Sequence, residues 1–201
     1  MGRVWRAVGR MRARIDAGER GAALVEAAIL MPVVLLIVFG AIEFSSLYKD
    51  AATLSSSARA GGRVASAEPR VPSMAADAAA AVGTALSSLP ASGPLEMWVY
   101  EANAAGYPGS GSGFSSCSGH CVSMTWNPAT KSFDVPRSAA DGSWWPAASQ
   151  DVCPGTNSTW SRVGIYVHAK HAFVTNLFGA SKTLSSHSVF RLEPVPSTQC
   201  S

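Results

Sequence analysis

The stretch Glu19–Ser46 reads ERGAALVEAAILMPVVLLIVFGAIEFSS, and no residue from Ala27 to Ile42 carries a charge. Taken as one helix, residues 22–47 would be roughly 39 Å long, which exceeds the hydrocarbon thickness of a bilayer, about 30 Å. The sequence therefore predicts one transmembrane helix over about residues 22–47. A carboxylate at the centre of a membrane helix costs ~2.5 kcal/mol or more, so Glu26, near the start of this segment, needs a reason.

The charges of the chain are distributed unevenly. Residues 1–21 contain six arginines against two acidic residues, whereas the rest of the chain contains ten basic and eleven acidic side chains. No basic stripe is left outside the N-terminus to neutralise phosphates, so no nucleic-acid partner is expected. Because the cytoplasmic flanks of membrane helices are rich in Lys and Arg, we expect a single-pass protein with a cytoplasmic N-terminus and an extracytoplasmic C-terminal part.

Three kinds of N-terminal signal compete for this pattern. A cleavable secretory signal is disfavoured, because no A-x-A-like cleavage site follows Ile42. A plain signal anchor fits the length and the charge but gives no reason for Glu26. In the third case residues 1–21 are a basic leader that is removed after Gly21, so that Ala22 becomes the N-terminus and Glu26 the fifth residue of the mature chain.

The third arrangement, RG-AALVE followed by an apolar helix, resembles the class III signals of type IV pilins and pseudopilins. Within that group the stretch RGAALVEAAILMPVVLLIVFGAIEF is similar to TadE-like minor pseudopilins of the tight adherence (Tad, or Flp) pilus. The likeness covers residues 19–68, is weaker over 161–194 and is absent between them. The features that carry it are Pro32, the exit motif at Phe39–Phe44, SSSARAGGRVAS at Ser55–Ser66 and VFRLEP at Val189–Pro194.

The resemblance implies that a membrane-embedded aspartyl prepilin peptidase cuts after Gly21, and that Glu26 helps to align subunits. Cleavage would leave a cationic amine on Ala22, and the Glu26 carboxylate of one subunit can pair with the amine of its neighbour, so that both charges enter hydrocarbon together. The alternative is that Glu26 is a solvated charge at the headgroup level. Glu43, at the outer interface, needs no function, and Pro32 predicts a local bend.

Two helices are expected in the first half of the chain. The N-terminal helix should span residues 22–68 and stop near Ala67, because Gly61 and Gly62 weaken it and prolines follow. A second helix should start at Ser73 as N-cap and end before Pro90; a low-complexity linker is the rival interpretation. Its predicted apolar stripe is Met74, Ala78, Val82, Ala85 and Leu89.

The remaining chain has the alternating pattern of strands. LEMWVYEA, from Leu95, alternates, and a second strand turns through residues 127–130 into a partner. Two later strands contain Val163, Ile165, Val167 and Ala169, and then Leu184, Phe190 and Leu192. The predicted class is α+β, with residues 69–201 forming an extracytoplasmic domain of one helix and an antiparallel sheet. Residues 104–116, AAGYPGSGSGFSS, are expected to be a flexible Gly/Ser loop.

Four cysteines lie beyond the predicted membrane helix. An even number in an exported, loop-rich domain favours two disulfides, for which three connectivities exist. We favour Cys117–Cys121, which closes a tight loop, and Cys153–Cys200, which ties down the chain end. The alternative is a metal site at CSGHC, Cys117–Cys121 with His120, but structural zinc sites need a second paired knuckle, and Cys153 and Cys200 stand alone.

Catalytic residues and cofactors are not expected. His168, His171 and His187 form no metal-binding helix motif, and strand residues three apart point to opposite faces. No nucleophile elbow, phosphate loop or dinucleotide fingerprint occurs. Aromatic residues such as Trp144, Trp145 and Trp160 are expected to pack in or beside the core rather than to bind a ligand.

The sequence therefore predicts a non-enzymatic minor pseudopilin that takes part in building or exporting an adhesive Tad-type pilus. Its expected partners are the bilayer, a prepilin peptidase, other pilins or pseudopilins and the Tad secretion machinery. The alternative is a signal-anchored exported binding or enzymatic domain that never enters a pilus.

Overall fold

The computed structural model describes residues 2–89, 96–155, 159–176 and 178–200, with side chains from residue 21 onward. The chain divides into two compact units, Met1–Ser45 and Ser46–Ser201. A long apolar helix, a further helix and an open antiparallel sheet make the fold α+β, which confirms the predicted class.

The first unit consists of helix α1 (Gly2–Ala67), which continues into the second unit. Pro32 lies inside α1 and lacks the amide hydrogen that an interior helix residue donates. The helix nevertheless continues past this position. It ends at Ala67, where Pro69 and Pro72 follow in the sequence.

The second unit contains a five-stranded antiparallel sheet with the strand order β3-β2-β1-β4-β5. Its central strand is β1, which pairs with β4 so that Trp98 lies opposite Tyr166. The elements are α2 (Met74–Leu86), β1 (Glu96–Glu101), β2 (Cys121–Asn127), β3 (Ser132–Asp134), α3 (Arg137–Asp141), β4 (Arg162–Ala172) and β5 (Ser181–Arg191), with short 3-10 turns at Ala147–Ser149 and Ser197–Gln199.

The main core of the second unit lies between the helices and one face of the sheet. Small residues let the end of α1 approach closely: a Cβ on Gly61 would lie 2.5 Å from Val82, and one on Gly62 would lie 2.4 Å from the Phe190 ring. Gly61 and Gly62 were expected only to weaken the helix. They are instead the positions at which α1 packs most tightly against α2 and β5.

The second helix forms, so the linker interpretation was wrong, but two details of the prediction need correction. Ser73 precedes α2 without a side-chain capping hydrogen bond. The helix also ends at Leu86, which is buried; Ala85 is half-buried, and Leu89 lies beyond the helix but still packs against the core. Pro90, the predicted stop, and Leu95, the predicted start of the first strand, lie outside the described residues.

The β2–β3 hairpin and the alternation of β4 are confirmed. Val122, Met124 and Trp126 of β2 are buried on one face, and Trp126 pairs with Phe133 of β3. Strand β1 differs from the prediction, because four successive residues, Met97 to Tyr100, are buried. An alternating strand is buried on one face, so a second layer must cover the other face of β1.

Candidate functional site

The predicted processing residues Gly21, Ala22 and Glu26 lie in α1 with exposed side chains. A Cβ at Gly21 would meet no described atom within 4 Å, so packing in this chain does not require glycine there. A glycine inside a helix costs about 1 kcal/mol relative to alanine. Residues 22 and 26 are one helical turn apart and share a face of the helix.

The segment that follows presents apolar side chains all round. Its most apolar window has a mean hydropathy of 2.7 and is 0% buried within the chain, so α1 is long and apolar enough to span a membrane by length and composition. A helix that is hydrophobic on every side requires an apolar environment. The exposed residues include Leu24, Val25, Ile29, Leu30, Leu36, Ile37 and Ile42.

Glu43 differs from its expected role. It was expected to lie at the outer interface without a function, yet its exposure is only 1%. A carboxylate is stable at that depth only with polar partners, and Glu43 has such an interaction.

The second layer over the sheet is the segment that was expected to be a flexible Gly/Ser loop. Its Phe114 ring stacks on Tyr166 of β4 with centroids 4.3 Å apart and an interplanar angle of 7°. The same ring meets Tyr100 edge-on at 5.9 Å and lies 6.5 Å from Trp98. One phenylalanine among glycines and serines thus docks the segment on the aromatic face of the sheet, a contact that the composition did not predict.

Polar contacts hold the same loop in place. The Asn103 side chain donates to the carbonyl oxygens of Gly109 and Gly111, at 3.0 Å and 2.8 Å. The Tyr100 hydroxyl donates to the Gly106 carbonyl at 3.0 Å. Burial, and to a smaller extent the nearby Tyr107, raise the pKa of the Tyr100 hydroxyl, which keeps it a neutral donor.

Gly164 makes room for this arrangement, and its replacement gives a testable prediction. A Cβ at Gly164 would lie 2.2 Å from the Tyr100 ring, which is fully buried and fixed by its hydrogen bond. We expect Gly164→Ala to lower the free energy of unfolding by about 1–3 kcal/mol, because an overpacked core must shift its neighbours. Denaturant unfolding of the detergent-solubilised protein measures the loss.

Gly113→Ala is the matched control for this experiment. A Cβ at Gly113 would meet nothing within 4 Å, and we expect its stability to match that of the wild type. Equal stability of Gly164→Ala and Gly113→Ala would mean that the Tyr100 ring can move away from position 164, which contradicts this account of its packing.

Two disulfides join the four cysteines, in the connectivity favoured from the sequence. Cys117–Cys121 closes the end of the docked loop with a Cα–Cα distance of 5.4 Å, and Cys153–Cys200 joins residues 47 apart at 5.7 Å. The metal alternative at CSGHC would need these thiolates free. His120 contacts a carboxylate instead, with Nδ1 2.6 Å from Glu101 Oε2.

Acid–histidine pairs are the polar features that the sequence analysis missed. His171 Nδ1 lies 2.6 Å from Asp50 Oδ2, and both side chains are largely buried between α1 and β4. On the opposite face of the sheet, His168 lies 3.7 Å from Glu96. Because the two histidines have different partners on different faces, they do not converge, as predicted. No signal in the sequence links residues as distant as 50 and 171.

A metal site requires several ligand side chains close together. Among the described residues no group of three or more His, Cys, Asp or Glu side chains is placed to hold a metal ion. Glu96 instead accepts hydrogen bonds from the Trp98 indole at 2.8 Å and the Ser123 hydroxyl at 2.6 Å. The Trp98 contact lies within β1, and the Ser123 contact joins β2 to β1.

A surface cleft of about 710 Å³ lies where α1 ends beside α2, and its lining includes Arg63, Glu68 and Glu193. Partial burial, followed by the charge and hydrogen bond of Asp77, raises the pKa of the Glu68 carboxyl. The tryptophans behave as expected: Trp145 is 1% exposed and belongs to the main core.

Comparison with known proteins places one part of the chain in a family. Residues 21–63 match the family model described as TadE-like protein. The N-terminal region of this chain is TadE-like. The match begins at the predicted processing glycine and ends where α1 packs on α2, which confirms the resemblance seen in the sequence. No curated protein and no solved structure matches the chain.

The TadE-like region indicates a protein associated with a Tad pilus. It covers Gly21, Ala22, Glu26 and the apolar part of α1, together with the first part of the helix in the second unit. The weaker likeness over residues 161–194 lies outside the match and stays a prediction.

Proposed function

We propose that this protein is a minor pseudopilin that takes part in assembling or exporting an adhesive Tad-type pilus, without catalysing a reaction. The observation that carries the proposal is the TadE-like match that starts at Gly21 and runs along an apolar helix whose most apolar window is 0% buried among the described residues. Such a helix needs lipid or other apolar helices around it.

In the proposed topology the arginine-rich N-terminus is cytoplasmic, α1 crosses the membrane and the second unit is extracytoplasmic. The excess of arginine in residues 1–21 supports this orientation. The two disulfides support it as well, because disulfides persist in oxidising compartments outside the cytoplasm.

The proposed mechanism is assembly through α1. A prepilin peptidase removes residues 1–21, and the processed helix then packs laterally against the helices of other pilins or pseudopilins. Glu26 of one subunit meets the new Ala22 amine of a neighbour, which neutralises both charges inside the bilayer. The Tad secretion machinery and the membrane are the other partners in this proposal.

The processing step gives the experiment that tests the function. We expect mass spectrometry of the mature protein to show an N-terminus at Ala22, and Gly21→Leu to keep residues 1–21 attached. Ala28→Leu, which places the same side chain beyond the cleavage point, is the control and should be processed normally. An intact leader in cells with an active prepilin peptidase would overturn the proposal and favour a signal-anchored exported domain.

A further inference from the structure

The tip of the β4–β5 hairpin exposes apolar side chains. The last paired residues are Ala172 and Ser181, and the tip lies between them. Val174 is 80% exposed, a larger fraction than any large apolar side chain of the membrane segment shows, and Phe178 is 48% exposed. Exposed aromatic and branched aliphatic residues at one hairpin tip are unfavourable in water and indicate a surface that is covered in the working protein.

The tip lies at the end of the second unit at which α1 enters it. His171, just before the tip, contacts Asp50, which is the fifth residue of the unit that starts at Ser46. At the other end of the hairpin, the Glu193 amide donates to the Ser66 carbonyl at 2.9 Å. The hairpin therefore runs beside α1 within this unit, with its tip toward the residues that follow the membrane segment.

Lysines and a tyrosine surround the tip. Lys170 on β4 and Lys182 on β5 are both exposed. Lys182 is paired with His171 and shares its face of the hairpin, whereas Lys170, next to His171 on the strand, lies on the other face. On α1, Tyr48 is 78% exposed and Lys49 is exposed beside it. Aromatic residues and lysines with apolar stems are the side chains that favour the boundary between headgroups and acyl chains.

We propose that the β4–β5 tip is a second, peripheral membrane contact, in which Val174 and Phe178 enter the headgroup–acyl boundary of the leaflet into which α1 passes. Lys49, Lys170 and Lys182 then face lipid phosphates, and Tyr48 lies at the same level. This inference rests on the insertion of α1 that the proposed function requires. It adds that the exported domain is held against the bilayer rather than carried free on its helix.

Lipid is the occupant that the chain connectivity favours. Asp50 follows the end of the predicted membrane segment, residue 47, by three residues, so the element that contacts the hairpin starts at the bilayer surface. An α-helix rises about 1.5 Å per residue, and an interfacial segment buries its apolar side chains about 5–10 Å deep. The tip is thus within reach of lipid without a second protein, and the lysines match anionic headgroups.

Photo-crosslinking in the full-length protein tests the inference. The protein is reconstituted in vesicles of phosphatidylethanolamine and phosphatidylglycerol with benzoylphenylalanine at position 174 or, separately, at position 178. Val71, 40% exposed in the segment that follows the far end of α1, is the matched control position. Mass spectrometry then measures covalent lipid adducts, and resistance to alkaline extraction measures insertion of α1.

We expect lipid adducts at positions 174 and 178 several-fold above those at 71, in protein that resists extraction. Inserted protein without excess adducts at the tip would overturn the membrane contact alone and leave the proposed function standing. A protein–protein adduct at 174 or 178 in place of lipid would overturn it in favour of a second copy of the chain. Extraction of the protein by alkali would overturn the proposed function together with this inference.

Discussion

Glu26→Gln is expected to leave the protein in the membrane and to abolish most of its association with other pilin subunits. Insertion should not suffer, because removing a charge makes an apolar helix easier to place in hydrocarbon. Assembly should suffer because the Ala22 ammonium of the neighbour would be buried without its counter-charge. Removing one member of a buried ion pair costs roughly 3–5 kcal/mol, which corresponds to a loss of affinity of two to three orders of magnitude or more.

Co-purification with pilin partners at matched membrane levels measures this effect. Glu26→Asp keeps the charge on a shorter side chain, and we expect it to retain more partner than Glu26→Gln does. Ala28→Leu, two residues further along the same apolar helix, controls for a change of surface without a change of charge. Unchanged partner recovery and pilus formation in Glu26→Gln would mean that Glu26 is a solvated charge at the headgroup level.

Loss of the Cys153–Cys200 disulfide is expected to be the largest single destabilisation of the second unit. The bond closes a loop between residues 47 apart, for which the loss of chain entropy in the unfolded state corresponds to about 4 kcal/mol. The double variant Cys153→Ser/Cys200→Ser should therefore unfold at a clearly lower denaturant concentration than the wild type. The full-length protein in detergent, followed by near-ultraviolet circular dichroism, gives the free energy of unfolding.

The other disulfide provides the comparison. Cys117 and Cys121 are only 4 apart, and the same estimate for Cys117→Ser/Cys121→Ser is about 2 kcal/mol. Peptide mapping of the wild type without reductant should find no free thiol. Free thiols in the exported protein, or a larger loss for the short loop than for the long one, would contradict this account.

The TadE-like part of the protein was the more predictable part, because its signals are local. The position of Gly21, the spacing to Glu26 and the length of the apolar run all lie within one continuous helix, where the sequence order is the spatial order. The family match then fell on the same residues, 21–63. Strand alternation in β4 and the β2–β3 hairpin were predictable for the same reason, since each depends on residues close in sequence.

The errors concern contacts between distant residues. Residues 104–116 were expected to be flexible because of their glycines and serines. In the structure the Phe114 ring stacks on Tyr166 of β4, the strand that pairs with β1. The composition of a loop does not reveal which surface lies below it. The burial of Glu43 was missed for a similar reason, because nothing near it in sequence predicts it.

The sequence by itself determined that α1 is long and apolar enough to span a membrane, the class of the fold and the preferred disulfide pairing, through apolar length, residue periodicity and the number and spacing of cysteines. Only the tertiary structure decided that α1 packs through Gly61 and Gly62, that Asp50 meets His171 and that the β4–β5 tip points to the start of the second unit. Those contacts join residues up to 128 positions apart, Gly62 and Phe190. They exist because β4 and β5 pack against the part of α1 that belongs to the second unit, and the strand order that places them there is a property of the packed sheet as a whole.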